Sequence, residues 1–154
     1  MASQGGANGA GNFEHYDVVI VGAGAAGIGV AIALQHSGVE NYLIVDRETI
    51  GSSFRSWPAE TRFITPSFPS NSIGMLDLNS IGVGISPAFT MRIEHPTGQD
   101  FADHLQSLSD YFELPIREKT DILSIEKHGE FFHLEHEGGK IFAENVIWAG
   151  GEYQ

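Results

Sequence analysis

The chain has no cysteine among its 154 residues. It therefore carries no disulfide, no cysteine-ligated zinc and no redox dithiol. Basic residues are scarce: eight Lys and Arg stand against 20 Asp and Glu, a net charge of −12. Without a Lys/Arg stripe, nucleic acid and anionic membranes are excluded as partners. No apolar run approaches the ~20 residues needed to span a bilayer. The first 12 residues, MASQGGANGAGN, lack the basic and apolar regions of a signal peptide and read as a disordered lead over 1–15. A cytoplasmic protein is the reading that results. No serine stands in a nucleophile-elbow context. His133 and His136 are three apart in an expected strand and point to opposite faces, so no metal site is expected.

What is present is concentrated in Asp17 to Asp46, DVVIVGAGAAGIGVAIALQHSGVENYLIVD. A short apolar run leads into Gly22-Ala23-Gly24-Ala25-Ala26-Gly27, then a chargeless helical segment, Gly38, and a second apolar run that ends in Asp46. Strand, glycine turn, helix and strand in this span form a βαβ dinucleotide-binding unit. Gly22 serves the tight turn, Gly24 lets a pyrophosphate approach the backbone, and Gly27 lets the helix pack close to the strands. Amides at the helix N-terminus suit the phosphates. Asp46 suits a ribose diol, and an acid there disfavours a 2′-phosphate, so FAD or NAD is preferred over NADP.

Beyond this unit, Arg47 to Pro96 holds five of the six prolines and no long periodic segment. Irregular stretches of this length inside a domain are usually functional. Gly51 to Ser70 gathers Phe54, Trp57, Phe63 and Phe68 with Arg55, Arg62 and Thr65. Two readings stay open: a wall whose arginines meet phosphate or ring heteroatoms, or a loop packing its own aromatics. A helix follows Pro96-Thr97, with Thr97 and Asp100 as a capping pair and Phe101, Leu105, Leu108 and Phe112 as a core stripe. Leu114 to Arg117 reads as a short strand. From Thr120, three short strands (TDILSIEKH, EFFHLEHE and KIFAE) read as an antiparallel meander. Val146 to Ala149 reads as one more, central strand that delivers Gly150-Gly151 beside a ligand.

With these motifs in place, the chain resembles the two-dinucleotide-binding-domain flavoproteins, above all the flavin-containing monooxygenase and thioredoxin-reductase-like branch. The resemblance rests on GAGAAG with Asp46, on Gly51-Ser52-Ser53-Phe54 followed by Trp57-Pro58, and on Val146-Ile147-Trp148-Ala149-Gly150-Gly151, where family members read Ala-Thr-Gly. It implies an α/β fold: a Rossmann-like βαβ FAD-binding domain over 16–154 with a central parallel sheet and an antiparallel β-meander. It also implies that Gly22, Ala23, Gly24, Ala25 and Ala26 hold the pyrophosphate of FAD, that Asp46 binds the ribose, and that Arg47 lies beside the adenine. Ser53 and Phe54 then lie along the ribityl side, Trp57, Thr65 and Pro66 approach the isoalloxazine, Ile122 meets the adenine, and Ala149 and Gly150 close over the cofactor. No catalytic side chain is implied, since the flavin carries the chemistry.

Family members continue into an NAD(P)H-binding domain and then return to complete the FAD domain. This chain has no second glycine fingerprint, so no NAD(P)H site is expected in it. The implied function is the FAD-binding portion of a flavin-dependent, NAD(P)H-linked oxidoreductase, with little turnover by itself. The alternatives are a non-catalytic FAD- or ADP-binding module that pairs with a second polypeptide or with itself, and an NAD(H) site. The missing cysteines exclude the glutathione-reductase type but not the thioredoxin-reductase type.

Overall fold

A computed structural model describes residues 14–68 and 77–151. β1 (Glu14–Val21) leads into α1 (Ala25–His36) and β2 (Tyr42–Val45). Two one-turn helices follow, α2 (Ser52–Arg55) and α3 (Pro87–Thr90). Then come α4 (Gly98–Tyr111), β3 (Ile116–Arg117), β4 (Ile122–His128), β5 (Phe131–His136) and β6 (Gly139–Trp148). The strands form one sheet in the order β3-β2-β1-β6-β5-β4. β3, β2, β1 and β6 are mutually parallel; β6, β5 and β4 are antiparallel.

The continuous apolar runs of β1 and β2 follow from burial on both faces. Side chains alternate across the sheet. Val18, Ile20, Tyr42 and Ile44 pack toward α1 and α4 with Ile28, Ile32, Phe101 and Leu105. Val19, Val21, Leu43 and Val45 face the other way and meet Leu134, Ile141 and Ala143, with Ile122 and Ile125 against them. The meander is thus folded over the face of the sheet opposite the helices. This brings the start of β4 toward the ends of β1 and β2.

Two boundaries differ from the sequence expectations. The expected lead over 1–15 falls mostly outside the described residues, but Glu14 and His15 already belong to β1, paired with Ile141 and Phe142 of β6. The meander's third strand and the last central strand are one continuous ten-residue strand. The polar pair Glu144-Asn145 looks like a break. Pairing with β1 carries the chain through it: Val18 lies opposite Asn145, and the Asn145 amide donates to the Asp17 carbonyl at 3.1 Å.

α1 ends in a Schellman arrangement. Gly38 has φ +80°, and Val39 N–H reaches back to the Leu34 carbonyl. α4 begins with the expected capping box. Thr97 Oγ1 accepts from Asp100 N–H at 3.1 Å, and Asp100 Oδ2 accepts from Thr97 N–H at 2.9 Å. The Thr97 hydroxyl also donates to Asp100 Oδ2 at 2.6 Å, and this bond first, then that from Thr97 N–H, holds the Asp100 carboxyl below its ordinary 3.8. A depressed carboxyl stabilises the fold fully above that ordinary value and loses its contribution as pH falls through the folded pKa. Thr97→Ala should therefore cost about 1 kcal/mol at pH 7, and the gap to wild type should narrow near pH 3. Thermal melts at the two pH values check this, and a gap that is unchanged at pH 3 would remove Asp100 from the account.

Candidate functional site

The turn between β1 and α1 is set by steric necessity. Gly22 has φ +117°, and a Cβ there would lie 2.3 Å from the Ala149 carbonyl oxygen. A Cβ on Gly27 would lie 1.8 Å from the Gly22 carbonyl oxygen. Gly24 is the opposite case: nothing in the protein comes within 4 Å of its would-be Cβ. It is the N-cap of α1, with no side-chain cap and no acid in the first turn. The positive end of the helix, with its unpaired first-turn amides, thus opens into free space.

That space is a cavity of about 690 Å³ at the C-terminal ends of β1, β2 and β6. Gly22, Gly24, Ala25 and Ala26 line its floor, Asp46 and Arg47 one end, and Ser53, Phe54 and Trp57 a flank. Ile122, Ala149 and Gly150 also line it. Twelve of the fifteen residues expected at a cofactor site therefore share one cleft.

The other three stand elsewhere. Ala23 is fully buried and acts through its backbone. Its N–H donates to Asp46 Oδ2 at 2.6 Å, and its carbonyl accepts from Gly51 N–H at 3.0 Å. Thr65 and Pro66 do not line the cleft. The Thr65 carbonyl is bound by the Asn79 side chain at 2.9 Å, inside a loop network that also ties Ser67 to the Glu94 carbonyl.

Asp46 is more occupied than a bare ribose acceptor. Besides Ala23, its Oδ1 accepts from Glu48 N–H at 2.7 Å. Each carboxylate oxygen keeps a lone pair for a further donor. Asp46 therefore braces the glycine turn and can still meet a diol. Glu48, at the rim, is ion-paired with Lys119, which lowers the Glu48 pKa and raises that of Lys119.

The aromatic loop takes both of its readings in part. Phe63 packs half-buried against Phe101 of α4, the rings tilted with centroids 4.6 Å apart. Phe54 lies 4.9 Å from Phe101 and Trp57 5.3 Å from Phe54, with both also facing the cleft. The arginines have partners within the fold. Arg55 pairs with Asp103 at 2.7 Å, and Arg62 donates to the His95 carbonyl at 3.0 Å. Each guanidinium thus anchors the loop to a neighbouring part of the fold.

Sequence reasoning passed over Glu48, Ser52, Thr120, Asp121 and Trp148, all of which line the cleft. The signal for Trp148 was its place beside Ala149 in the terminal run. Its register opposite Val21 puts it at the sheet's end, where it stays 59% exposed.

Residues 19–154 match the model of a family described as pyridine nucleotide-disulphide oxidoreductase. The chain belongs to this family. Among curated relatives, a CzcO-like oxidoreductase of Geobacillus kaustophilus is 28% identical over 90% of this chain and 36% of its own length. A FAD-dependent urate hydroxylase of Xanthomonas campestris is 31% identical over 90% of this chain and 32% of its own. The chain thus spans about a third of the length of the curated relatives it matches. In fold, it superposes on the bacillithiol disulfide reductase of Staphylococcus aureus with a TM-score of 0.74 at 16% identity, covering 90% of this chain and 39% of that one. Thioredoxin reductase of T. acidophilum gives 0.58 at 26% identity, covering 90% and 36%. Family and fold agree with the Rossmann-like βαβ architecture and meander expected from the sequence, and with a portion of a flavin oxidoreductase. Among the described residues, no helix is long and apolar enough to cross a membrane, and no cluster of three His, Asp or Glu could hold a metal ion.

Proposed function

We propose that the cleft holds FAD and that this domain is the FAD-binding portion of an NAD(P)H-linked flavin oxidoreductase. One observation carries the reading: an uncapped helix N-terminus opens beside a glycine with free space where its side chain would be, in a cleft that ends at Asp46. A diphosphate fits the first two features and a ribose diol the third. The FAD-dependence named for the Xanthomonas relative supports FAD over NAD.

In this reading the amides of Ala25 and Ala26 hold the pyrophosphate, and Asp46 accepts the ribose hydroxyls. Arg47 and Ile122 flank the adenine. Ser53, Phe54 and Trp57 wall the ribityl and ring side, and Ala149 and Gly150 close the cleft from β6. Bound FAD would supply the hydride and electron chemistry. The chain's own residues bind and orient it and shield one side from water.

The test is the absorption spectrum of the purified protein, before and after added FAD, with identification of any nucleotide released on denaturation. A two-band flavin spectrum and released FAD are expected. A colourless protein that takes up no FAD would sink the reading. If FAD binds, added NAD(P)H should leave it oxidised, because no second nucleotide site is assigned to this domain; rapid bleaching would overturn that part.

A further inference from the structure

The nucleotide cleft has two sides, set by the two faces of the sheet. On the helix side stand the N-terminus of α1, Phe54 and Trp57, and Phe54 packs with the core between the sheet, α1 and α4. On the meander side stand Ile122, at the start of β4, and Trp148, at the end of β6. The side taken by Trp148 follows from register. It lies opposite Val21, and Val146, two residues earlier, packs with Val19 and Val21 in the meander-side core. Alternation along β6 carries the indole to that same face. Ile122 packs against this core too.

Asp46 marks where a bound nucleotide passes from one side to the other. The pyrophosphate belongs to the α1 amides, on the helix side. The ribose meets Asp46 at the tip of β2. A base leaves the ribose away from the pyrophosphate, and so turns to the meander side. The wall there is tied to the ribose position: Thr120 N–H donates to the Asp46 carbonyl at 2.8 Å, two residues before Ile122. Across from it, Trp148 stays more than half exposed. Single apolar residues scattered over a surface need no explanation, but a large ring left open inside a cleft does. An indole offers a rigid, flat face on which a base stacks.

We propose that Trp148 is the stacking platform for the adenine of the bound nucleotide, with Ile122 beside it. This assignment rests on the cleft holding FAD, and it adds a residue that selects among ligands. A nucleotide that ends in a flat base gains the stack. A ligand that ends at a phosphate, as FMN does, forgoes it.

The probes are ADP, which carries the base, and inorganic pyrophosphate, which does not. Each is titrated into the whole chain as wild type, Trp148→Ala and Trp148→Leu. Trp148→Ala should raise the Kd for ADP by roughly 5- to 150-fold, the range for losing one base–aromatic stack, and leave that for pyrophosphate unchanged. Trp148→Leu, apolar but without a ring, should recover little of the loss. In the wild type, NMR should show intermolecular NOEs from adenine H2 or H8 to the indole protons of Trp148. These are read without any variant, so a substitution that unfolds the chain does not remove the test. Full ADP affinity in either variant, equal losses for ADP and pyrophosphate, or bound ADP without those NOEs would overturn the stack and leave the FAD reading standing. A wild type that takes up neither ADP nor FAD would overturn the FAD reading, and the stack with it.

Discussion

Gly24→Val should abolish FAD binding and leave the fold standing; Gly27→Val, three residues on, should break the fold. The contrast comes from where each Cβ would go. At Gly24 it enters the cleft and meets no protein atom. The backbone there is extended, φ −85° and ψ −168°, which a β-branched residue adopts without strain. The weaker N-cap costs less than about 1 kcal/mol. The methyls would instead occupy the approach of the pyrophosphate to the α1 amides, and a Kd rise of about 100-fold or more, some 2.7 kcal/mol, is expected. At Gly27 the Cβ would lie 1.8 Å from the Gly22 carbonyl oxygen. β1 and α1 must separate to admit it, at a cost of roughly 3 kcal/mol or more. Thermal melts and FAD titration on both variants check the pair. A Gly24→Val protein that is stable and fully loads FAD would place the cofactor somewhere other than the N-terminus of α1.

The parts of this site that were legible in the sequence are those set by local rules. The β1-α1-β2 unit announces itself by apolar runs, glycine spacing and an acid at a fixed distance. The α4 cap and its stripe do so by helical period, and Phe101, Leu105 and Leu108 are buried as that period requires. What was not legible depends on long-range pairing. Glu144-Asn145 reads as a break between two strands until β1 is seen supplying the ladder beside it. Arg55 and Arg62 look available for phosphate until Asp103 and the His95 carbonyl, 48 and 33 residues away, are found beside them. Thr65 and Pro66 follow the fold of a loop that Asn79 holds from outside the motif. His104 is one polar letter on an amphipathic helix, and nothing in its neighbours says that α3 will bury it with one nitrogen unpaired.

The same distinction governs Asp46, whose motif role and structural role coincide. Asp46→Ala should weaken ADP binding by roughly 1.5–3 kcal/mol, about 10- to 150-fold in Kd, through loss of charge-assisted hydrogen bonds to the ribose. It should also destabilise the protein by roughly 1–3 kcal/mol, because Ala23 is fully buried and its N–H loses its acceptor. The two effects separate by ligand. Inorganic pyrophosphate uses the glycine turn but has no ribose. If Asp46 acts on the diol, ADP loses far more affinity than pyrophosphate. If it acts only by bracing the turn, both lose alike. Asp46→Asn sharpens the comparison: it keeps an oxygen for Ala23 N–H but puts an NH₂ or a neutral oxygen where Glu48 N–H and the ribose now find a carboxylate. It should recover much of the stability and little of the ADP affinity. Unchanged ADP binding in both variants would mean that the acid at the tip of β2 does not hold the nucleotide, and the ribose end of the cleft would have to be sought at Glu48 or Asp121.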